Sequence, residues 1–155
     1  MSKKIRVAVC GVGSCASALI QGIQWYKNNP SQDVGLMYSE IGGYSVTDIQ
    51  FVVGFDVDYR KIHKSLREAI YEKPNCNMRS VEPEDIDFSD VLEQGSMVYP
   101  GPVLDGVADY MLTFPEDVSF RPYDETKIKA ISSEEYKETL KRLKVDIILN
   151  YMPVG

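Results

Sequence analysis

The sequence predicts an α/β domain built on a parallel sheet, and three observations carry that expectation. Short apolar, β-branched runs alternate with stretches of helical period. A glycine-rich turn joins the first run to the first helix, and an acidic residue closes the second run. The chain has 155 residues, 44% of them hydrophobic and 26% charged, which is enough apolar material for one domain with a core.

Taken in order, Ile5-Arg6-Val7-Ala8-Val9-Cys10 is a mostly apolar run that stops at glycine, as a buried parallel strand does. From Ala16 the period changes: Ala16, Leu19, Ile20 and Ile23 share one helical face, and the helix is expected to reach Trp25 or Tyr26 before Asn28-Asn29-Pro30 closes it. A second strand, Phe51-Val52-Val53-Gly54-Phe55, stops at Asp56. Behind it, Ile62, Leu66, Ala69 and Ile70 mark a second helix ended by Pro74-Asn75. Strand, helix, strand, helix in that order calls for right-handed crossovers and a parallel sheet. Residues 28–50 lie between the first helix and the second strand as an insertion, either a surface loop or a short hairpin.

The middle, residues 76–131, is less regular. Residues 82–87 read as an acidic loop, Ser89 to Gln94 as one or two helical turns, and Met97-Val98-Tyr99 as an inner strand. Ser132 and Glu135 have capping-box spacing, with Tyr136, Leu140 and Leu143 on the face of the helix that follows. Lys144 to Asn150 reads as another buried strand. Gly155 stands where the next turn should begin, so the expected sheet is incomplete at its C-terminal side.

Charge and composition exclude several classes of function. A net charge of -6 opposes general nucleic-acid affinity, which needs clustered Lys and Arg. No apolar run approaches the roughly 20 residues of a membrane helix. The start, Met1-Ser2-Lys3-Lys4-Ile5, lacks the apolar core of a signal peptide, and a cytoplasmic location is expected. Three cysteines (Cys10, Cys15, Cys76) with no C-x-x-C pair suggest neither a disulfide framework nor a metal site. The single histidine, His63, sits among charges and reads as a solvated helix residue rather than a catalytic base. No known catalytic motif is present, so no catalytic residue is assigned.

The informative stretch is Gly11-Val12-Gly13-Ser14-Cys15-Ala16, a G-x-G-x-x-A turn between strand and helix. Gly11 permits the tight turn, Gly13 lets backbone approach a diphosphate, and Ala16 lets helix and strand pack closely. The amides of Gly13, Ser14 and Cys15 would face phosphate oxygens at the positive end of the helix. With a strand before it and a helix after it, the motif points to a Rossmann-type, doubly wound dinucleotide-binding sheet, the alternative being a glycine-rich turn that only packs a helix onto a sheet. Asp56 is the expected acceptor for adenosine ribose hydroxyls, and its charge favours NAD over NADP, with Arg60 and Lys61 nearby. It lies 45 residues after Gly11, against about 20 in the usual pattern. The 28–50 insertion accounts for the difference. At the carboxyl end of the last strand, Asn150 and Pro153 either line the nicotinamide or ribose or simply form a turn.

These motifs together resemble the opening of the myo-inositol-1-phosphate synthases (inositol-3-phosphate synthases) of archaea and actinobacteria. The resemblance is carried by Val7 to Ser17, Gln21-Gly22, Gly35-Leu36-Met37, Phe51-Val52 leading into Phe55-Asp56-Val57-Asp58, Gly101-Pro102-Val103-Leu104-Asp105-Gly106-Val107 and Tyr151-Met152-Pro153-Val154-Gly155. It spans nearly the whole chain, with Ser14 standing where the family usually has asparagine. It implies that residues 1–155 are the N-terminal, NAD-binding part of an isomerase that converts glucose 6-phosphate to 1D-myo-inositol 3-phosphate. The family does so by oxidation, aldol closure and re-reduction with bound NAD, in inositol and phospholipid biosynthesis. It further implies a homotetramer whose catalytic groups lie in a domain absent from this chain, so that the 155 residues alone are inactive. The cofactor positions it transfers are Gly11, Val12, Gly13, Ser14, Cys15 and Asp56, with Asn150 and Pro153. Other readings of the same motifs are the NAD-binding domain of another two-domain oxidoreductase and a free-standing nucleotide-sensing module.

Overall fold

Strand β1 (Ile5–Cys10) occupies the middle of a four-stranded sheet in the computed structural model, which describes residues 4–86 and 96–152. It pairs in parallel with β4 (Ile49–Asp56) on one side and β6 (Ile147–Asn150) on the other. Strand β5 (Val98–Pro100) adds in parallel outside β4, giving the order β5-β4-β1-β6. Numbered among these four alone, that order is 3-2-1-4, the first part of the doubly wound arrangement the sequence predicts. The order reverses between β1 and β6.

Helix α1 (Ser14–Asn28) starts two residues before Ala16 and runs past Tyr26. Its core face is the expected one: Ala16, Ile20 and Ile23 are buried. The polar Ser17, Gln21 and Gln24 are buried beside them, and Gln21 is satisfied by Ser17, Ser80 and Val81. The 28–50 segment holds a small antiparallel hairpin, β2 (Glu40–Ile41) and β3 (Tyr44–Ser45), turning on Gly42-Gly43 with positive φ at both. Of the two readings, the hairpin is correct, and the second strand begins at Ile49, inside the supposed insertion.

The second helix departs from expectation. Only α2 (Leu66–Ala69) is helical, opened by a Ser65–Glu68 capping box. His63 is exposed but not helical; its φ is +62°. Edge pairing explains this. His63 N donates to Val98 O and Val98 N to Lys64 O, each at 2.8 Å, so β5 draws out the chain that would otherwise coil. Apolar spacing at 62, 66, 69 and 70 registered burial correctly but could not show this competing partner.

Right-handed crossovers put α1 and α2 on one face of the sheet and α3 (Ser133–Arg142) on the other. Adjacent residues of β4 show it: a Cβ on Gly54 would meet Leu66 Cδ2 at 2.8 Å, whereas the Phe55 ring packs at a tilt against Tyr136 of α3, their centroids 4.7 Å apart. The Ser132–Glu135 capping box forms as the spacing predicts. Strand β6 corrects the sequence reading. It spans only four residues and is not buried, Ile147 and Ile148 being 45% and 46% exposed. Its outer edge has no neighbouring strand among the described residues, so an apolar run selected for burial lies open. The expected helical turns at 89–94 fall outside the described residues.

Candidate functional site

The site grows from the Gly11-Val12-Gly13 turn. Gly11 has φ +86°, a conformation that costs other residues roughly 1–2 kcal/mol. It is also tightly packed, since a Cβ there would lie 3.0 Å from the carbonyl carbon and oxygen of Tyr151. The turn thus rests on the segment that leaves β6, at the point where strand order reverses. Gly13 is the opposite case: a Cβ on it would meet nothing within 4 Å, so its outer side is open. That open space is what a ligand backbone approach requires.

Gly13 caps α1, and among the described residues no side-chain cap bond forms there. First-turn amides without side-chain caps at the positive end of a 15-residue helix can hold an anion. Ser14 and Cys15 occupy that turn, Cys15 exposed and Ser14 half-buried. Ser14 Oγ accepts from Cys76 N at 3.3 Å, and Ser14 O accepts from Asn77 Nδ2 at 2.8 Å. The side-chain oxygen of the same amide, Asn77 Oδ1, is buried without a partner among the described residues, an acceptor left beside the turn.

Asp56, at the end of β4, reaches the turn directly. One carboxylate oxygen accepts from Val12 N at 2.6 Å; the other accepts from Val57 N at 2.7 Å and Asp58 N at 2.8 Å. A carboxylate offers about four acceptor positions, so roughly one remains for an outside donor. Val12 itself presents no free polar group. Its side chain is buried, its N–H is held by Asp56, and its carbonyl accepts from Lys61 Nζ at 2.8 Å and Asn75 Nδ2 at 3.1 Å. It shapes the turn from inside.

Asn150 lies beside Cys10 in the β6–β1 register, one residue from Gly11. Its Oδ1 accepts from Met152 N at 3.0 Å, so its side chain builds the turn after β6, and its amide NH2 group is the part left to face a ligand. The structure therefore brings Gly11, Val12, Gly13, Ser14, Cys15, Asp56 and Asn150 to one sheet end; Pro153 lies outside the described residues.

Three contributors escaped the sequence reading: Lys61, Asn75 and Asn77. Lys61 looks solvated in the sequence yet is 2% exposed. Burial lowers its pKa, with the carboxylates of Asp56 and Asp58 acting in the opposite direction. Its neighbour Arg60 is committed elsewhere. The fully buried Asp58 accepts from Arg60 N, Nε and Nη2 and from Arg121 N, and Arg60 also donates to Ser119 O. This buckle ties the strand-end turn to the loop before residue 122. Among the described residues no group of three or more His, Cys, Asp or Glu could hold a metal ion.

No family model matches the chain. Its similarity to individual proteins is clear. It is 37% identical to the inositol-3-phosphate synthase of Mycolicibacterium smegmatis over 98% of this chain and 37% of that protein. With the inositol-3-phosphate synthase of Corynebacterium glutamicum it is 37% identical over 97% of this chain and 37% of the relative. Among solved structures, one named Ari2 superposes with a TM-score of 0.68 at 26% identity, covering 98% of this chain and 38% of that one. A myo-inositol-1-phosphate synthase-related protein from Thermotoga maritima superposes at 0.63 and shares the fold at 19% identity, with 96% of this chain and 34% of that one covered. The chain spans little more than a third of the length of these relatives. Along nearly all of its own length, then, this chain is a homologue of the actinobacterial inositol-3-phosphate synthases.

Proposed function

We propose that residues 1–155 form the NAD-holding part of an inositol-3-phosphate synthase. The observation that carries this reading is the uncapped Gly13 turn, open on its outer side and tethered by Asp56, at the point where strand order reverses. Every doubly wound sheet offers its ligand crevice there. The residues fit the cofactor. Gly13 leaves room for a diphosphate, the Ser14 and Cys15 amides supply donors, and the remaining acceptor position of Asp56 suits a ribose hydroxyl. Beneath the turn, Asn77 Nδ2 holds the Ser14 carbonyl and so keeps the first turn of the helix in place. NAD, when bound, supplies reversible hydride transfer at the sugar, so that the conversion of glucose 6-phosphate to inositol 3-phosphate has no net redox change.

This chain's own contribution is to bind, orient and select. Gly11 and Gly13 admit backbone contact; Asp56 holds the turn and orients the ribose. Selection for NAD over NADP has a physical basis. A 2′-phosphate needs a free cation, and both nearby candidates are engaged, Arg60 by Asp58 and Lys61 by Val12 and Asn75. The substrate and the groups that act on it belong, in this reading, to the remainder of the synthase, which is a homotetramer in the cytoplasm. Calorimetric titration of the chain with NAD and NADP tests it. NAD should bind and NADP should bind at least tenfold more weakly; no heat with either nucleotide overturns the reading.

A further inference from the structure

Lys61 presents an unusual electrostatic arrangement. Its ammonium is buried, and both its partners are neutral: Val12 O at 2.8 Å and Asn75 Oδ1 at 2.8 Å. No ion pair to it is present among the described residues. An ammonium kept dry without a contacting carboxylate is costly, and proteins retain such a group where something anionic completes the arrangement.

The position of the missing anion follows from peptide geometry. The cis peptide bond among the described residues is Lys73-Pro74, so the Val12–Gly13 peptide is trans, with its carbonyl and its N–H pointing in opposite directions. Lys61 and Asn75 bind the carbonyl from within; the Gly13 N–H therefore points outward, into the open side of the turn. A cation on the carbonyl polarises that peptide and strengthens the donor at its other end.

On the reading of the site as a dinucleotide crevice, we propose that Lys61 is a positioning residue for the diphosphate, acting through the Val12–Gly13 peptide from the buried side of the turn. Asn75 is its bracket. It accepts from the ammonium, and its own NH2 donates to Val12 O and to Ile70 O. The phosphate turn thus contains a lysine that touches no ligand and still contributes positive potential to it. Burial lowers the pKa of Lys61, and the carboxylates of Asp56 and Asp58, which do not touch its ammonium, offset that only in part.

The test compares ADP with adenosine, which differ by the diphosphate, on the whole 155-residue chain by calorimetry. For Lys61→Met, checked as folded by circular dichroism, ADP affinity should fall about tenfold or more while adenosine affinity stays within twofold. Lys61→Arg should recover part of the loss. Equal losses for ADP and adenosine would mean a merely structural role, and undiminished ADP binding would remove Lys61 from the site; either overturns the proposal. Should Lys61→Met not fold, amide resonances of the native chain decide. On addition of ADP the Gly13 N–H should move downfield, whereas Val12 N–H, held by Asp56, should not; a stationary Gly13 amide overturns the proposal. If native chain binds neither ADP nor NAD, it is the dinucleotide reading that fails, and the two failures are told apart.

Discussion

Replacing Asp56 by asparagine probes both the turn its carboxylate holds and the ribose contact proposed for it. The isosteric amide keeps one oxygen, which can still accept from Val57 N and Asp58 N, at 2.7 and 2.8 Å in the native protein. Its NH2 group must then face Val12 N–H, whose native bond is 2.6 Å long, so donor meets donor. A hydrogen bond to a charged acceptor is worth about 1.5–3 kcal/mol, and Asp56 is only half-buried, so about 2 kcal/mol of stability should be lost. At roughly 2–4 °C per kcal/mol for a domain of this size, the melting temperature should fall by about 4–8 °C. The ribose loses its charged acceptor as well, which should weaken NAD by about 1–3 kcal/mol, or roughly 5- to 150-fold. Thermal unfolding by circular dichroism reads the first effect. Calorimetry at a temperature where both proteins are folded reads the second. Unaltered NAD affinity would show that Asp56 has no part in binding, and an unaltered melt would show that the tether to Val12 carries no weight.

Other perturbations probe separate links. Gly11→Ala places a Cβ 3.0 Å from the Tyr151 carbonyl in a left-handed backbone and should cost about 2–4 kcal/mol, seen as a lower urea midpoint. Ser132→Ala removes the cap of α3 and should cost about 1 kcal/mol while NAD affinity stays unchanged, since the cap lies on the opposite face from the turn. Lys61 gives the chain a particular pH dependence. Its native pKa is depressed by burial below the ordinary value of about 10.4, so between those two values the unfolded chain holds more protons than the native one. Stability should therefore rise with pH through that window, and Lys61→Met should lack the rise; urea midpoints from about pH 7 to about pH 10 measure it.

How much of this was legible in the sequence depends on the range of the determining contacts. The first strand, the Gly11–Ala16 turn and α1 are local, and the spacing of apolar residues and glycines predicts them nearly to the residue. The capping box of α3 is local too. Residues 63–65 are not: their conformation depends on pairing with residues 97 and 98, more than 30 residues away, which no periodicity encodes. Lys61 illustrates the same limit at the site. Between Arg60 and Ile62 it reads as one more surface cation, and only the folded chain brings it under Val12. Strand β6 erred the other way. Its apolar residues signal burial, and the described residues provide no partner at that edge.

The seat of the Gly11-Val12-Gly13 turn on Tyr151 also governs when that turn can be supported at all. A ribosome emits Tyr151 some 140 residues after Gly11, so the turn waits for a segment distant in the chain before it is supported. On the proposed reading, a nucleotide would then stabilise only molecules translated past residue 151.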